Sequence, residues 1–331
     1  MSILVTGGTG YIGSHTCVEF IEKGQEVVIV DNLSNSKAEV VDFIENITGI
    51  RPRFYEADLL DREALKKIFD ENEFESVIHF AGFKAVGESV TMPIEYYRNN
   101  IVGTLNLIEE MREHNCFNLV FSSSATVYGK PKTVPIKEDF PLSTTNPYGT
   151  TKLYIEQILK DLCVSDERFS VVILRYFNPI GAHESGLIGD NPNGIPNNLM
   201  PYITRVAKRK LPYLNVFGND YETKDGTGVR DYIHVSDLAH GHYCALKALS
   251  KRGISIYNLG TGNGYSVLEL INAFERVNGV KIPYQIAPRR AGDIAECFAD
   301  AEKAEFEIGF KAEKTLDDMC SSAWHFEQKN F

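Results

Sequence analysis

Near the start of the chain, an apolar segment runs straight into a turn with four glycines, and this junction limits the fold more than any other feature. Ile3-Leu-Val-Thr6 has the length and composition of a buried strand, and Gly7-Gly-Thr-Gly-Tyr-Ile-Gly13 follows it without a spacer. Ser14 to Lys23 then carries apolar residues at helical spacing, and Gly24 is a suitable residue for a helix C-terminus. A strand, a tight glycine turn and a helix in that order are the first unit of an open parallel α/β sheet.

The spacing of these glycines also indicates a ligand, since they match both GxGxxG and GxxGxxG. Without Cβ atoms, the backbone can approach a pyrophosphate, whose charge then lies at the helix N-terminus. Val27 to Val30 is the predicted second strand, and it ends at Asp31. A carboxylate there accepts hydrogen bonds from the ribose hydroxyls of an adenosine and repels a 2′-phosphate. The predicted cofactor is therefore NAD rather than NADP.

Strand-like and helical segments go on alternating through the first half of the chain. Further strands are predicted at 52–58, 76–81, 118–123 and 170–175, and further helices at 62–72, 94–114 and 148–163. This alternation predicts an α/β fold with a doubly wound parallel sheet of the Rossmann type. Ligands of such sheets bind at the carboxyl ends of the strands, where polar or small residues follow four of the predicted strands.

The composition changes after Asn178. Residues 179–230 are rich in Gly, Pro and Asn, whereas 233–250 and 256–260 resemble a helix and a strand that return to the sheet. We expect a Rossmann-type NAD-binding domain at 1–178, with 233–262 returning to it. The remainder of 179–331 is expected to form a smaller, irregular α/β substrate lobe.

A tyrosine and a lysine four residues apart, Tyr148 and Lys152, lie on one face of a predicted helix, with Ser124 upstream at the end of a strand. A free tyrosine has a pKa of about 10 and is a poor base at neutral pH. A nearby ammonium and an oxidised nicotinamide both favour the phenolate, so we expect a lowered pKa at Tyr148. Such a tyrosine can take the proton from a hydroxyl whose carbon gives up a hydride. Taken alone, this spacing usually marks an exposed helix face.

The net charge of −11 argues against nucleic acids and anionic membranes as partners, and the sequence has no apolar run long enough to span a bilayer. The six cysteines contain no CxxC pair and lie mostly in apolar contexts, and no secretory leader pattern opens the chain. We therefore expect reduced thiols and a cytoplasmic location. His240 and His242 are two residues apart on a predicted helix and diverge, so no metal site is predicted.

Longer motifs along the chain resemble those of the UDP-glucose 4-epimerase family, within the extended short-chain dehydrogenases/reductases. The resemblance extends over essentially the full length. Its segments are GGTGYIGSHT at 7–16, DNLSNS at 31–36, HFAGFKAVGESV at 79–90, SSSATVYG at 122–129, NPYGTTK at 146–152, LRYFNPIGAH at 174–183, GIPNNLMPY at 194–202, DGTGVRDYIHV at 225–235 and APRRAGD at 287–293.

The resemblance implies that Tyr148 is the catalytic base and acid, that Ser124 is its hydrogen-bonding partner, and that Lys152 tunes the phenol and holds the nicotinamide ribose. It implies a UDP-hexose substrate and a homodimer. The implied NAD-binding residues are Gly7, Gly10, Tyr11, Ile12, Gly13, Asp31, Asn32, Leu33, Ser34, Asn35, Ser36, Asp58, Leu59, Phe80, Ala81, Gly82, Phe83, Lys84, Asn99, Ser124, Tyr148, Lys152 and Phe177. The implied substrate-binding residues are Ser124, Tyr148, Asn178, Asn198, Leu199, Asn215, Val216, Phe217, Arg230, Arg290, Asp293 and Cys297.

In one position the chain departs from many bacterial members of that family, which carry a tyrosine four residues after the aspartate of RRxGD. Cys297 stands there instead. In related epimerases, a small residue at this position goes with acceptance of N-acetylated sugars, so the resemblance implies activity on UDP-GlcNAc and UDP-GalNAc as well. The alternative is that Cys297 is an inert packing residue, as most free cysteines are.

Two other functions fit parts of the same pattern. A nucleotide-sugar 4,6-dehydratase shares the fold, NAD and the Tyr/Lys pair, but that family eliminates water with an Asp-Glu pair where this chain has Ala125-Thr126. A non-catalytic NAD-sensing regulator commonly loses catalytic residues, whereas Ser124, Tyr148 and Lys152 are all present here. Turnover of UDP-galactose separates the three functions.

Overall fold

The computed structural model describes residues 1–192, 196, 198–290 and 293–330. The strands in these ranges are β1 (Ser2–Thr6), β2 (Val27–Asp31), β3 (Arg53–Glu56), β4 (Phe74–His79), β5 (Asn118–Ser124), β6 (Ser170–Tyr176), β7 (Asn178–Ile180), β8 (Leu214–Phe217), β9 (Val229–Arg230), β10 (Tyr232–His234), β11 (Gly253–Leu259), β12 (Tyr265–Ser266), β13 (Tyr284–Ala287) and β14 (Glu296–Cys297). The helices are α1 (Tyr11–Glu22), α2 (Glu39–Thr48), α3 (Arg62–Asp70), α4 (Val86–Thr91), α5 (Pro93–Tyr97), α6 (Gly103–Glu113), α7 (Pro147–Ser165), α8 (Leu199–Ala207), α9 (Val235–Ala245), α10 (Val267–Asn278), α11 (Glu302–Ile308) and α12 (Leu316–Asn330).

Seven of the described strands form one parallel sheet in the order β11-β6-β5-β4-β1-β2-β3. The chain runs outward from β1 to β3 in one direction and from β4 to β11 in the other, so the strand order reverses between β1 and β4. Such a reversal leaves a crevice at the carboxyl ends of the two strands. The predicted doubly wound Rossmann-type sheet is confirmed.

Both faces of this sheet are buried, which is why its strands read as nearly continuous apolar runs. Successive side chains of a strand point to opposite faces. In β1, Val5 packs on the face covered by α1 with Phe20, whereas Leu4 packs on the other face with Leu65 of α3. The two apolar layers hold α1 and α7 on opposite faces of the sheet. Each of these helices follows a strand in the chain and therefore begins at the carboxyl edge.

A third apolar cluster lies outside the sheet. Helices α8, α10 and α12 pack there around Met200, Phe274 and Cys320. Small sheets accompany them in the described residues: β8 pairs with β13, and β9 pairs with both β12 and β14. Strands β7 and β10 pair with each other in parallel and join the two parts of the chain.

Two predicted elements differ from the structure. The single helix predicted for 94–114 is interrupted by a π-helical turn at Arg98–Val102, because Asn100 turns inward and its side chain bonds to the backbone of Phe83. The helix predicted to begin at Ile233 begins at Val235. Ile233 instead belongs to β10, since its backbone pairs with β7.

Candidate functional site

The residues predicted to contact ligands converge on the carboxyl edge of the sheet. Asp31 is the last residue of β2, Ser124 is the last residue of β5, and Phe177 follows β6 directly. The segment Phe80–Lys84 follows β4 and lies beside the glycine turn, because the amides of Phe80 and Ala81 both donate to the Thr6 carbonyl. Residues far apart in the chain therefore surround the crevice between β1 and β4.

The glycine turn is packed too tightly for side chains at two of its positions. Gly7 has φ +73°, and a Cβ on it would lie 2.8 Å from the amide nitrogen of Ala81. A Cβ on Gly13 would lie 2.2 Å from the Gly7 carbonyl oxygen. These close contacts bring the turn directly against the start of α1, whose first N–H groups have no side-chain cap. A helix N-terminus with free N–H groups is a suitable cradle for a phosphate.

The carboxylate of Asp31 organises the loop that follows β2. It accepts hydrogen bonds from the Thr9 amide at 3.2 Å, from the Leu33 amide at 2.9 Å and from the Ser36 hydroxyl at 3.1 Å. The adjacent Asn32 donates to Asp58 at 2.9 Å. The loop at 32–36, with Ser34 and Asn35 at its tip, is thereby drawn beside the glycine turn, with a negative charge between them. Leu59 follows Asp58 and is buried.

Tyr11 and Lys84 connect this side of the site to the smaller lobe. The Tyr11 hydroxyl donates to the Gly181 carbonyl at 2.7 Å, and the Lys84 ammonium lies 6.0 Å from the centre of the Tyr11 ring. Lys84 is also 4.0 Å from Asp190, which accepts a hydrogen bond from Asn198 at 3.0 Å. Residues predicted to hold the cofactor and the substrate are thus linked through Asp190.

Three side chains with acid–base chemistry meet where α7 packs on β5. The Ser124 hydroxyl accepts the Thr126 amide at 3.2 Å, which leaves its proton free to be donated. Tyr148 lies in the first turn of α7, whose N-cap, Asn146, accepts the Gly149 amide at 2.9 Å. The ammonium of Lys152 donates to the Ser122 carbonyl at 2.7 Å.

The electrostatics of this group are set mainly by burial. Burial raises the pKa of the Tyr148 phenol, and the hydrogen bond with Ser124 opposes that shift only in part. Burial lowers the pKa of Lys152 to about 8, and the carboxylate of Glu156 acts in the opposite direction. Removal of the phenol from water thus outweighs the stabilising contacts that the protein itself supplies. The lowered pKa expected for Tyr148 beside both Lys152 and an oxidised nicotinamide stays a prediction.

Apart from Ser124 and Tyr148, the predicted substrate residues lie after β6 in the chain. Arg230 is a register neighbour of Cys297, because β9 pairs with β14, and its guanidinium donates to the carbonyls of Val229 and Ile294 at 2.8 and 3.0 Å. Arg290 pairs with Asp293 at 2.9 Å.

Arg290 also lies 5.0 Å from the ring centre of Phe217. Phe217 and Asn215 are exposed on β8, whereas Val216 between them is buried. Asn178 is exposed at the start of β7, and Leu199 begins α8. Residues 291–292 of the RRAGD motif and residues 194, 195 and 197 of the GIPNNLMPY motif lie outside the described residues.

Arg289 has a separate set of contacts. Its guanidinium bonds to the carboxylate of Asp220 at 2.7 Å and lies 4.0 Å from the ring centre of Tyr221. These contacts give it a role in holding the loop after β8.

Asn100 was missed by the sequence analysis, which singled out only its neighbour Asn99. The Asn100 side chain accepts the Phe83 amide at 2.8 Å and donates to the Phe83 carbonyl at 3.0 Å and to Thr151 of α7 at 3.0 Å. It therefore ties the loop after β4 to α7. π-Helical turns are frequent at functional sites, but a single sequence carries no clear signal for one.

His240 and His242 each have a hydrogen-bonding partner within the protein. His240 bonds to Glu19 at 2.8 Å, and His242 bonds to the Leu238 carbonyl at 2.8 Å. Across the described ranges, no group of three or more His, Cys, Asp or Glu side chains is placed to hold a metal ion. All six cysteines lie in described positions, and each is unpaired. None of the helices in the described part of the chain combines the length and apolar character needed to cross a bilayer.

Comparison with known proteins agrees with this geometry. The model of the NAD dependent epimerase/dehydratase family matches residues 3–260. A UDP-glucose 4-epimerase of Bacillus subtilis is 62% identical over 331 residues, which cover 100% of this chain and 98% of that protein. The chain therefore belongs to the NAD dependent epimerase/dehydratase family.

Solved structures agree as well. The UDP-glucose 4-epimerase of Bifidobacterium longum in complex with NAD+ and UDP is 54% identical with a TM-score of 0.97, covering 100% of this chain and 99% of that one. The UDP-glucose 4-epimerase of Stenotrophomonas maltophila with bound NAD and formylated UDP-arabinopyranose is 51% identical with a TM-score of 0.97, covering 99% and 98%.

Proposed function

We propose that this protein interconverts UDP-galactose and UDP-glucose through a transient 4-keto sugar, with NAD as a resident cofactor. The observation that carries the proposal is the meeting of Ser124, Tyr148 and Lys152 at the end of β5, beside the crevice between β1 and β4. Relatives called UDP-glucose 4-epimerase, at up to 62% identity over the full chain, support it.

The residues present fit NAD. The glycine turn leaves the first amides of α1 open to a pyrophosphate, and Asp31 lies at the end of β2, where a ribose would reach it. Its carboxylate would accept the ribose hydroxyls and repel a 2′-phosphate. We assign the remaining cofactor contacts to the loops at 32–36 and 80–84 and to Asn99 and Phe177. A bound oxidised nicotinamide supplies a hydride acceptor that returns the hydride within the same cycle.

Tyr148 moves the proton. The phenolate takes the proton from the sugar 4-hydroxyl, and the phenol returns it to the oxygen of the 4-keto sugar. The Ser124 hydroxyl keeps its proton for donation, because its oxygen already accepts the Thr126 amide. The burial that raises the Tyr148 pKa must be offset by positive charge. Lys152 supplies part of that charge from one helical turn away.

The substrate must be bound firmly at its nucleotide and loosely at its sugar. Epimerisation requires the 4-keto sugar to present its other face before the hydride returns, so the nucleotide must be held while the sugar rotates. Arg230 and Arg290 can bind a diphosphate bidentately. The nucleotide base would lie against Phe217 and Asn215, and neutral groups such as Asn178 and Asn198 would leave the sugar free to turn.

The residues at the site do not fit either rival function. In the dehydratases, the residues after the Ser124 position eliminate water, and Ala125 has no acid or base to do so. Thr126 uses its amide on Ser124 rather than supplying a carboxylate. For a regulator, Ser124, Tyr148 and Lys152 would have no purpose, yet they are all in place.

We also propose a division into a cofactor domain at 1–178 with 233–262, and a substrate lobe in the rest of 179–331.

Cys297 extends the proposal to N-acetylated sugars. Its side chain packs against an apolar cluster that includes Phe177 and Val127, and Val127 lies three residues after Ser124. Burial raises its pKa to about 11, so the thiol is neutral and inert at neutral pH. A thiol occupies far less space than a phenol, and the room it leaves would accept a 2-acetamido group. UDP-GlcNAc and UDP-GalNAc are therefore proposed as a second substrate pair.

We also propose a cytoplasmic homodimer. Helices α4, α5 and α7 pack against one another, and their outer surface exposes large apolar side chains, including Val90, Ile94 and Tyr154. The stacked rings of Tyr97 and Tyr154 join α5 to α7 in that surface. A second copy of the same surface would cover it. The free state of all six cysteines is consistent with a reducing compartment.

Replacing Ile94, which is 63% exposed, with Asp tests the dimer surface. A carboxylate buried there without a partner costs at least about 3 kcal/mol, so the variant should become a monomer in light scattering at concentrations where the unchanged protein is a dimer. Phe306→Asp is the control, because Phe306 is 91% exposed on α11. A dimer that survives Ile94→Asp would place the interface elsewhere.

Tyr148→Phe removes the hydroxyl and keeps the ring. We expect folding, measured by thermal unfolding, to be unchanged and kcat with UDP-galactose to fall by at least about 10²–10⁴-fold, the usual contribution of a general acid–base group. Near-normal turnover in this variant would mean that another residue moves the proton.

Cys297→Tyr tests the sugar pocket. The larger side chain should suppress turnover of UDP-GlcNAc and UDP-GalNAc while largely sparing UDP-galactose. Because rotation of the 4-keto sugar needs clearance along its whole path, kcat should fall more than KM rises. Both constants are measured for both substrate pairs. A wild-type protein that is inactive on the acetylated pair, or a Cys297→Tyr variant that turns it over equally well, would show that Cys297 does not set the specificity.

A further inference from the structure

A buried ion pair lies directly behind the three acid–base side chains. Glu156 is on α7, one helical turn after Lys152, and Arg175 is on β6. One carboxylate oxygen of Glu156 accepts Nη2 of Arg175 at 2.6 Å, and the other accepts Nε of Arg175 at 3.0 Å and the Ser123 hydroxyl at 2.6 Å. Both charged side chains are almost completely removed from solvent.

The pair fixes the elements that carry the site. Ser123 and Arg175 are register partners in β5 and β6, so Glu156 bonds to two adjacent strands at once. Ser123 precedes Ser124 in the chain. The other side of the Arg175 guanidinium donates to the Tyr128 hydroxyl and to the Glu138 carbonyl, both at 3.0 Å. A helix and two strands are thus joined by charge-assisted hydrogen bonds, which are stronger than neutral ones.

We propose that Glu156 is a positioning residue for the epimerisation. Its carboxylate, held by Ser123 and Arg175, fixes α7 against the ends of β5 and β6 so that Tyr148 and Lys152 face Ser124. Its negative charge also favours the ammonium form of Lys152. The proposal rests on the function proposed above and adds a residue to which neither the sequence analysis nor the resemblance gave a role.

Other ionisable groups face Lys152 from neighbouring elements. His79 of β4 stays neutral, because burial lowers its pKa to about 3, with a smaller contribution from Lys152 itself. Tyr176 of β6 bonds to the Ser122 hydroxyl and stays neutral, because burial raises its pKa. Tyr148, on the same helix, also has a raised pKa. Glu156 is the group whose charge raises the pKa of Lys152.

The direction of the pH effect follows from these charges. With Glu156 neutral, the pKa of Lys152 would fall further below its value of about 8, so the ammonium would be lost at lower pH. The phenolate of Tyr148 would then lose its positive neighbour at lower pH as well. The alkaline limb of the pH profile of kcat should therefore move to lower pH.

Glu156→Gln tests the proposal. It keeps the side-chain volume and an acceptor for Ser123, but it removes the charge. We expect kcat with UDP-galactose to fall by up to about 10²-fold with little change in KM, because a small misplacement of the reacting groups can slow a reaction by this factor. The alkaline limb should move down by at least about one pH unit. The absorbance of the Tyr148 phenolate, taken as the difference from Tyr148→Phe, should also have a titration midpoint different from that of the wild type.

Two further variants separate charge from packing. Ser123→Ala removes one hydrogen bond and keeps both charges, so its pH profile should match the wild type. Glu156→Asp restores the charge on a shorter side chain and should bring the alkaline limb back even if kcat stays low. If Glu156→Gln unfolds, Glu156→Asp carries the test, because a wild-type kcat with this shorter side chain would contradict the positioning role.

The proposal is overturned if Glu156→Gln folds and keeps both the wild-type pH profile and the wild-type tyrosine titration, because Glu156 would then only stabilise the fold. Failure of the proposed function is a distinct outcome. A wild-type protein that does not turn over UDP-galactose would contradict the epimerase function, whereas the absorbance titration would still measure the effect of Glu156 on Tyr148.

Discussion

The reversal of strand order between β1 and β4 is the constraint on which the rest of this structure depends. Chain connections leave the sheet in opposite directions on either side of it, so a crevice remains at the carboxyl ends of these strands. The glycine turn after β1 and the segment after β4 form its two walls. Because a parallel sheet ends all its strands on the same edge, Asp31 and Ser124 reach this crevice from separate parts of the chain.

Helix α7 is the second element that the site requires, and its position depends on polar contacts as well as apolar packing. Lys152 donates a hydrogen bond to the end of β5, and Thr151 accepts a hydrogen bond from Asn100 of the π-helical turn. Glu156 forms an ion pair with Arg175 of β6. These contacts hold two successive turns of the helix. They also bury Tyr148, which raises its pKa. The same packing that positions the base thus opposes its ionisation, and nearby positive charge is needed to offset it.

Local patterns in the sequence were sufficient for much of this. The strand, glycine turn and helix, the acid at Asp31 and the Tyr148/Lys152 spacing are each contained within a short segment, and the doubly wound parallel sheet follows from the alternation of strands and helices. The features that were missed depend on contacts between distant segments. The π-helical turn forms because Asn100 bonds to Phe83 and Thr151, and the strand at Ile233 forms because β7 lies beside it. The partner of Glu156 lies nineteen residues away on another strand.

The epimerase function requires that the protein remove a hydride from C4 of the sugar and return the same hydride, using a cofactor that stays bound. The most direct test is to incubate the purified protein, with no added cofactor, with UDP-galactose that carries deuterium at C4. The account predicts UDP-glucose that retains the deuterium at C4, with no accumulation of reduced cofactor. Loss of the label to solvent, or a requirement for added NAD in every turnover, would contradict it.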